Sequence, residues 1–214
     1  SIMIKIKRFV FNPFQVNCYI LYNQSGECII IDPSVYFDNE KDILVNFLES
    51  KCPKPQMIIN THGHVDHICG NQFLTDKYAL KTGLHKDDSD LLNIAVEQGV
   101  LFNFPVTKPP SPDFFLLDKQ IITSVGSYLE IRHAPGHSPG SIVIYSEKDN
   151  FIITGDVLFE GSIGRTDLPG GDYKTLINSI KEKILTLPDE TVVYPGHGNA
   201  TTIVKEKINN PFLQ

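Results

Sequence analysis

The stretch Thr61-His62-Gly63-His64-Val65-Asp66-His67 places three of the chain's seven histidines and one carboxylate within six residues. Neutral imidazoles with carboxylates form a donor set for zinc, and also for iron or manganese. The chemistry such a set serves is metal-assisted attack by water. His62 and His64 lie two apart, so in extended backbone both rings point the same way. Asp66 and His67 come next, where the chain is expected to turn into a helix. One loop thus offers two pairs of donors aimed at neighbouring points. The start of that helix would favour an anion. Surface hydrogen bonding would account for a lone histidine, but four ligand-type residues in this order point to a metal.

The elements that must hold this loop follow from the surrounding pattern. Met57-Ile58-Ile59-Asn60 reads as a buried strand delivering the loop. Upstream, residues 3–10, Val16 to Tyr22 and Cys28 to Ile31 read as strands, with a turn at Asn23-Gln24-Ser25-Gly26. Asn39 to Ser50 reads as a helix with Ile43, Leu44, Phe47 and Leu48 on one face, ended by Pro53 and Pro55. The helix after Asp66 is expected to run through Ile68, Phe73 and Leu74. Leu80 to Leu84 is a further strand. Asp87 and Asp88 then open a helix whose dipole they complement. Residues 103–113 hold four prolines and form an irregular connection. Phe114 to Leu117, Gln120 to Thr123 and Tyr128 to His133 read as strands of a second sheet. Ile142 to Tyr145 and Phe151 to Ile153 form a hairpin whose continuous apolar runs imply cover on both faces. Asp172 caps a helix reaching Leu185, with Tyr173, Leu176, Ile177, Ile180 and Ile184 as its buried stripe. Thr191 to Tyr194 is a strand and Thr202 to Asn209 a last helix. Two similar halves result, each a mainly β segment followed by helices.

The H-x-H-x-D-H arrangement of the loop resembles the signature of the metallo-β-lactamase superfamily. The resemblance implies three further ligands downstream, and the chain supplies them. His137 lies in Ala134-Pro135-Gly136-His137-Ser138-Pro139-Gly140-Ser141, Asp156 in Ile153-Thr154-Gly155-Asp156, and His197 in Tyr194-Pro195-Gly196-His197-Gly198. It also implies the fold: α/β, an αββα sandwich of two mixed sheets face to face with helices on the outer faces, as one domain over 1–214. By resemblance, His62, His64 and His137 hold a first metal, Asp66, His67 and His197 a second, and Asp156 bridges them. Zinc is the expected metal, with iron or manganese as alternatives. Two such metals share a hydroxide that attacks a carbonyl, with Asp66 as the catalytic residue that orients it. No G-x-S-x-G nucleophile motif occurs.

Aspartate at position 156, where many zinc β-lactamases carry cysteine, is similar to glyoxalase II. Gly164-Arg165-Thr166-Asp167-Leu168-Pro169-Gly170-Gly171-Asp172 and the tail Thr201-Thr202…Asn210-Pro211-Phe212-Leu213 resemble its short bacterial branch. The implied function is hydrolysis of a thioester such as S-D-lactoylglutathione. The alternatives are a mononuclear-iron persulfide dioxygenase using His62, His137 and Asp156, and a lactone or ester hydrolase. Arg165 pairs with Asp167 to shape the loop beside Asp156, or contacts substrate directly. Asp32 either supports the ligands, as its counterpart does in the family, or closes a strand. His85 is a loop residue or a substrate contact, and His133 a strand residue or a partner of a ligand. Seventeen residues follow His197, so the helical domain that grips glutathione in the long enzymes is expected to be missing or rebuilt.

Composition sets the outer bounds. The chain has 214 residues, 41% hydrophobic and 21% charged, ordinary for a globular protein with a real core. A net charge of −6 and the lack of a basic run argue against a nucleic-acid partner and leave a small-molecule substrate. No apolar run approaches a membrane span, and no signal peptide is visible. None of Cys18, Cys28, Cys52 and Cys69 forms a C-x-x-C pair, so a cytoplasmic location is expected. Cys69 suits packing rather than ligation.

Overall fold

The computed structural model describes residues 3–214, which separate into two compact units. The first runs to Phe115 and takes in Thr123–Ser127. The second holds Leu116–Ile122 and Tyr128–Gln214.

In the first unit β1 (Lys5–Phe11), β2 (Val16–Tyr22) and β3 (Glu27–Ile31) form an antiparallel meander. Helix α1 (Asp38–Lys51) then crosses over to β4 (Lys54–Ile59), parallel to β3, the connection a parallel pair requires. Two short helices follow, α2 (Val65–Ile68) and α3 (Asn71–Tyr78), then β5 (Thr82–Leu84), α4 (Ser89–Asn93), α5 (Ala95–Leu101) and β6 (Phe114–Phe115). The sheet order is β1-β2-β3-β4-β5-β6. Ile20, Ile30 and Ile58 sit side by side on one face and pack with Leu44 and Leu48 of α1 and Leu74 of α3.

Three expectations are corrected here. Phe114–Phe115 belongs to the first sheet, not the second. It runs parallel to β5, and Asp113 locks the pair by accepting from the Thr82 amide at 2.8 Å while its own N–H donates to the Thr82 carbonyl at 2.8 Å. The buried stripe of α1 is narrower than the pattern suggested. Leu44 and Leu48 are buried, whereas Ile43, one residue (about 100°) round the helix, is 48% exposed. The helix after Asp66 is broken in two at Gly70, whose N–H donates to the Pro33 carbonyl at 2.8 Å. The backbones approach so closely there that a Cβ on Gly70 would overlap that carbonyl, so the four-residue α2 cannot extend along one axis into α3.

The second unit contains β7 (Ile121–Ser124, whose last two residues group with the first unit), β8 (Ser127–His133), β9 (Ile142–Ser146) and β10 (Phe151–Gly155). A small ribbon of β11 (Leu158–Phe159) and β12 (Ser162–Ile163) follows. Then come α6 (Tyr173–Ser179), β13 (Val192–Pro195), β14 (Thr201–Thr202) and α7 (Ile203–Asn209). The second sheet has the order β14-β13-β10-β9-β8-β7. β9 and β10 are buried at every position, as their continuous apolar runs implied. Val143, Tyr145, Ile152 and Val193 pack with Leu176, Ile180, Ile184 and Ile203. The Asp172 side chain accepts from the Thr175 amide at 2.9 Å and caps α6. The helix widens at Ile180–Ile184 into a π-helical stretch closed by Leu185 N–H donating to the Ile180 carbonyl at 2.9 Å. Leu176, Ile180 and Ile184 are buried, but Tyr173, expected in the stripe, is 51% exposed in the first turn.

Candidate metal centre

The first unit builds its donors on the loop that leaves β4. Three backbone amides of that loop, at alternate residues, are each held by a buried side chain from elsewhere. Thr61 N–H donates to Asp32 Oδ1 at 2.8 Å, Gly63 N–H to Asp88 Oδ2 at 2.8 Å, and Val65 N–H to Gln98 Oε1 at 3.2 Å. A Cβ on Gly63 would stand 3.1 Å from the Asp88 carbonyl and 3.2 Å from Leu91 Cβ, which is why glycine fits between the two histidines. Asn12, in the β1–β2 turn at φ +59°, donates to the Asp66 carbonyl at 3.0 Å and fixes the start of α2. The paired side-chain amides of Asn60 and Asn71 tie the loop to α3 at 2.8 Å.

Anchored in this way, the rings converge. His62 and His64 ring centres lie 4.9 Å apart, and those of His62 and His67 4.2 Å. Asp66 Oδ2 stands 3.6 Å from His67 Nε2. His62, His64 and His67 are all buried.

Tautomers follow from the hydrogen bonds. The Thr61 hydroxyl donates its one hydrogen to Asp32 Oδ2 at 2.6 Å, so toward His62 Nδ1, 3.1 Å away, it accepts. His67 Nδ1–H donates to the same Asp32 Oδ2 at 2.9 Å. Both imidazoles therefore carry the proton on Nδ1 and present Nε2 as a lone-pair donor, the state a metal ligand needs. Asp32, at φ +50°, serves both histidines. It is the supporting residue, not a plain strand end.

In the second unit the donors come from three loops. His137 follows β8 in a turn whose Gly136, at φ +134°, lies where a Cβ would overlap the Leu176 backbone. His137 Nδ1–H donates to the Arg165 carbonyl at 2.7 Å, which sets the same tautomer. Asp156 follows β10 directly after Gly155, at φ +52°, where the pairing with β13 shifts register. His197 follows β13. Asp156 Oδ2 lies 3.6 Å from His137 Nε2 and 3.3 Å from His197 Nε2. Two donors on one tetrahedral ion at about 2.0–2.1 Å would stand about 3.3 Å apart. The donor set and its tautomers thus fit a divalent metal within each unit.

The sequence-based expectations for neighbouring residues divide as follows. Arg165 pairs with Asp167 as expected, Nε to Oδ1 at 2.7 Å and Nη2 to Oδ2 at 2.8 Å, and the guanidinium hydrogen bond holds the Asp167 carboxyl down to about 2. A Cβ on the preceding Gly164 would overlap the Asp156 carbonyl. Asp88 stands where the helical turn Lys86–Asp88 leads into α4, as expected of an acid that opens a helix, and its side chain does more. It is fully buried and reaches back to Gly63. His85 is buried, and its Nδ1 accepts from the Asp87 amide at 3.1 Å, capping a helical turn. His133 Nε2 lies 2.8 Å from the Pro139 carbonyl. Cys69 packs against the carbonyls of Val35 and Asp66, both at 3.6 Å, and burial pushes its thiol up. The sequence reading missed the roles of Asp88 and Gln98. No local pattern marks either role, since both read as ordinary polar helix positions until the fold brings the Gly63 and Val65 amides to them.

Comparison with known proteins agrees with this geometry. The family model of the metallo-beta-lactamase superfamily matches residues 11–197, spanning both units. A protein of Haemophilus influenzae named hydroxyacylglutathione hydrolase GloC is 38% identical over 94% of this chain and 93% of its own length. The solved structure of BLEG-1, described as a B3 metallo-beta-lactamase, matches with a TM-score of 0.90 and 38% identity, covering 98% of this chain and 100% of that one. TTHA1623, solved in a di-iron-bound form, matches at 0.86 and 36%, covering 97% and 100%. The fold is the α/β sandwich of this type, and the chain belongs to the metallo-β-lactamase superfamily of metallo-hydrolases.

Proposed function

We propose that the chain, as one metallo-β-lactamase-fold domain over 1–214, hydrolyses small thioesters of the S-D-lactoylglutathione class in the cytoplasm. The observation that carries this reading is the tautomer locking: His62, His67 and His137 each have Nδ1 engaged and Nε2 presented as a donor. His62, His64 and His137 would hold one divalent metal and Asp66, His67 and His197 a second, with Asp156 bridging. Metals bound there supply a Lewis acid for the thioester carbonyl and a water acidified far below its bulk pKa. Zinc suits these donors, and the di-iron form of the similar TTHA1623 supports iron as an alternative. Similarity to the Haemophilus protein named hydroxyacylglutathione hydrolase supports the thioester.

The chain's own residues orient the reaction. Asp66, in the first turn of α2 with its carbonyl held by Asn12, directs the attacking water at the carbonyl carbon. Asp32 keeps His62 and His67 in one tautomer throughout turnover. The exposed Arg165 guanidinium, braced by Asp167, offers charge and hydrogen bonds to the substrate's carboxylates.

A parallel assay tests the reading. Zinc- and iron-loaded protein is given several thioesters, a lactone and, with oxygen uptake followed, glutathione persulfide. The expected result is thioester cleavage by the zinc form with no oxygen consumed. Oxygen uptake by the iron form, with no thioester cleavage by the zinc form, would instead assign persulfide dioxygenation.

A further inference from the structure

The tail motif around Thr201 and Asn210 has no part in the chemistry so far, yet it contains a buried carboxylate. Glu206 of α7 is 1% exposed and Asn210, the residue after that helix, 0%. Three donors converge on Glu206. Gly161 N–H donates to Oε1 at 2.7 Å and Asn210 Nδ2 to the same oxygen at 3.1 Å, while the Thr201 hydroxyl donates to Oε2 at 2.5 Å. Asn210 Nδ2 also donates to the Ser162 carbonyl at 3.0 Å. Burying an ionised carboxylate is costly unless such donors replace its water, so the arrangement is specific to what Glu206 grips.

It grips the tip of the β11–β12 ribbon. That ribbon starts two residues after Asp156 and ends two before Arg165, whose carbonyl holds His137 Nδ1. The ribbon also carries Phe159, edge-on to the His197 ring at 5.9 Å. One short segment therefore borders all three donors of the second unit, and the buried contacts at its tip are gathered by one carboxylate, which takes the Gly161 amide and orients Asn210 toward the Ser162 carbonyl. We infer that Glu206 is a positioning residue of the metal centre, a latch on the ribbon that sets Asp156, His137 and His197. The role rests on the two-metal reading above. Lys205, paired with Glu160 Oε2 at 2.7 Å, adds an exposed contact to the same ribbon.

The test compares wild type with Glu206→Ala, Glu206→Gln and Thr201→Val, and with Ile20→Val as a control in the separate core of the first unit. Two readouts are taken: cobalt(II) affinity with its ligand-field spectrum, and amide exchange of residues 157–165 in the metal-free protein. A glutamine keeps an oxygen for Gly161 and Asn210, and the Thr201 hydroxyl can turn to accept from its amide. Expected results are cobalt affinity lower by about 10–100-fold in Glu206→Ala, the range for outer ligand supports, a changed spectrum and faster exchange in 157–165. Glu206→Gln should restore most of both, Thr201→Val should fall between, and Ile20→Val should alter neither. Thr201→Val keeps the question answerable should Glu206→Ala fold poorly. Wild-type affinity, spectrum and exchange in Glu206→Ala, or in Thr201→Val if that alone folds, would overturn the latch while leaving the metal centre standing. No cobalt uptake by wild type would overturn the two-metal reading, and this role with it.

Discussion

Asp32 is not among the expected ligands, yet it fixes two of the histidines that are. Its two oxygens take the Thr61 amide, the Thr61 hydroxyl and His67 Nδ1–H. Substituting Asp32→Asn should lower metal affinity by about 10–100-fold with the fold retained, measured by competition with a chromophoric chelator; unchanged affinity would remove Asp32 from the centre. The Arg165–Asp167 pair gives a pH expectation. The Arg165 hydrogen bond depresses the Asp167 carboxyl to about 2, below the unfolded value of about 3.9. The pair's contribution is thus complete above the unfolded value and lost as pH falls through about 2. Carbon-detected titration of Asp167 should give a midpoint near 2, and a midpoint near 4 would mean the pair does not persist in solution. Legibility at this scale was uneven. The seven expected donors stood in the sequence because their types and contexts are rare together. Asp88 and Gln98 did not, since a buried polar residue that holds one amide looks like any surface helix residue until the fold brings that amide to it.

The elements show where local pattern fails. Periodicity located the strands and most helices, but the strand at Phe114–Phe115 went to the wrong sheet. Which sheet a two-residue strand joins is decided by a long-range contact, here the Asp113–Thr82 exchange, and nothing nearby in sequence encodes it. The break at Gly70 has the same origin, a close approach to the Pro33 carbonyl from 37 residues away. Close approach also yields a prediction. Gly164 passes against the Asp156 carbonyl with no space for a side chain. Gly164→Ala should therefore shift Asp156 and the Arg165 carbonyl together. The expected result is a loss of stability of about 1–3 kcal/mol, the usual cost of overpacking, together with weakened metal binding, read by chemical denaturation with and without metal. A stable variant that binds metal normally would show that this loop yields without cost.

At the scale of the whole chain, each compact unit carries expected donors of its own: four residues from the loop after β4 in the first, and three from the loops after β8, β10 and β13 in the second. The family model runs through both units, which is why the ordered motifs could be read from the sequence before any contact was known. Among the described residues no helix is long and apolar enough to cross a membrane. The central proposal is that the seven expected donors hold two metals for hydrolysis. The most direct test is metal stoichiometry on protein purified without added metal and then loaded, for wild type and Asp66→Ala, beside thioester turnover. The account predicts two divalent equivalents per chain in wild type, one in Asp66→Ala, and hydrolysis nearly abolished while the fold survives. One equivalent in both proteins, with turnover unaffected by the substitution, would contradict it.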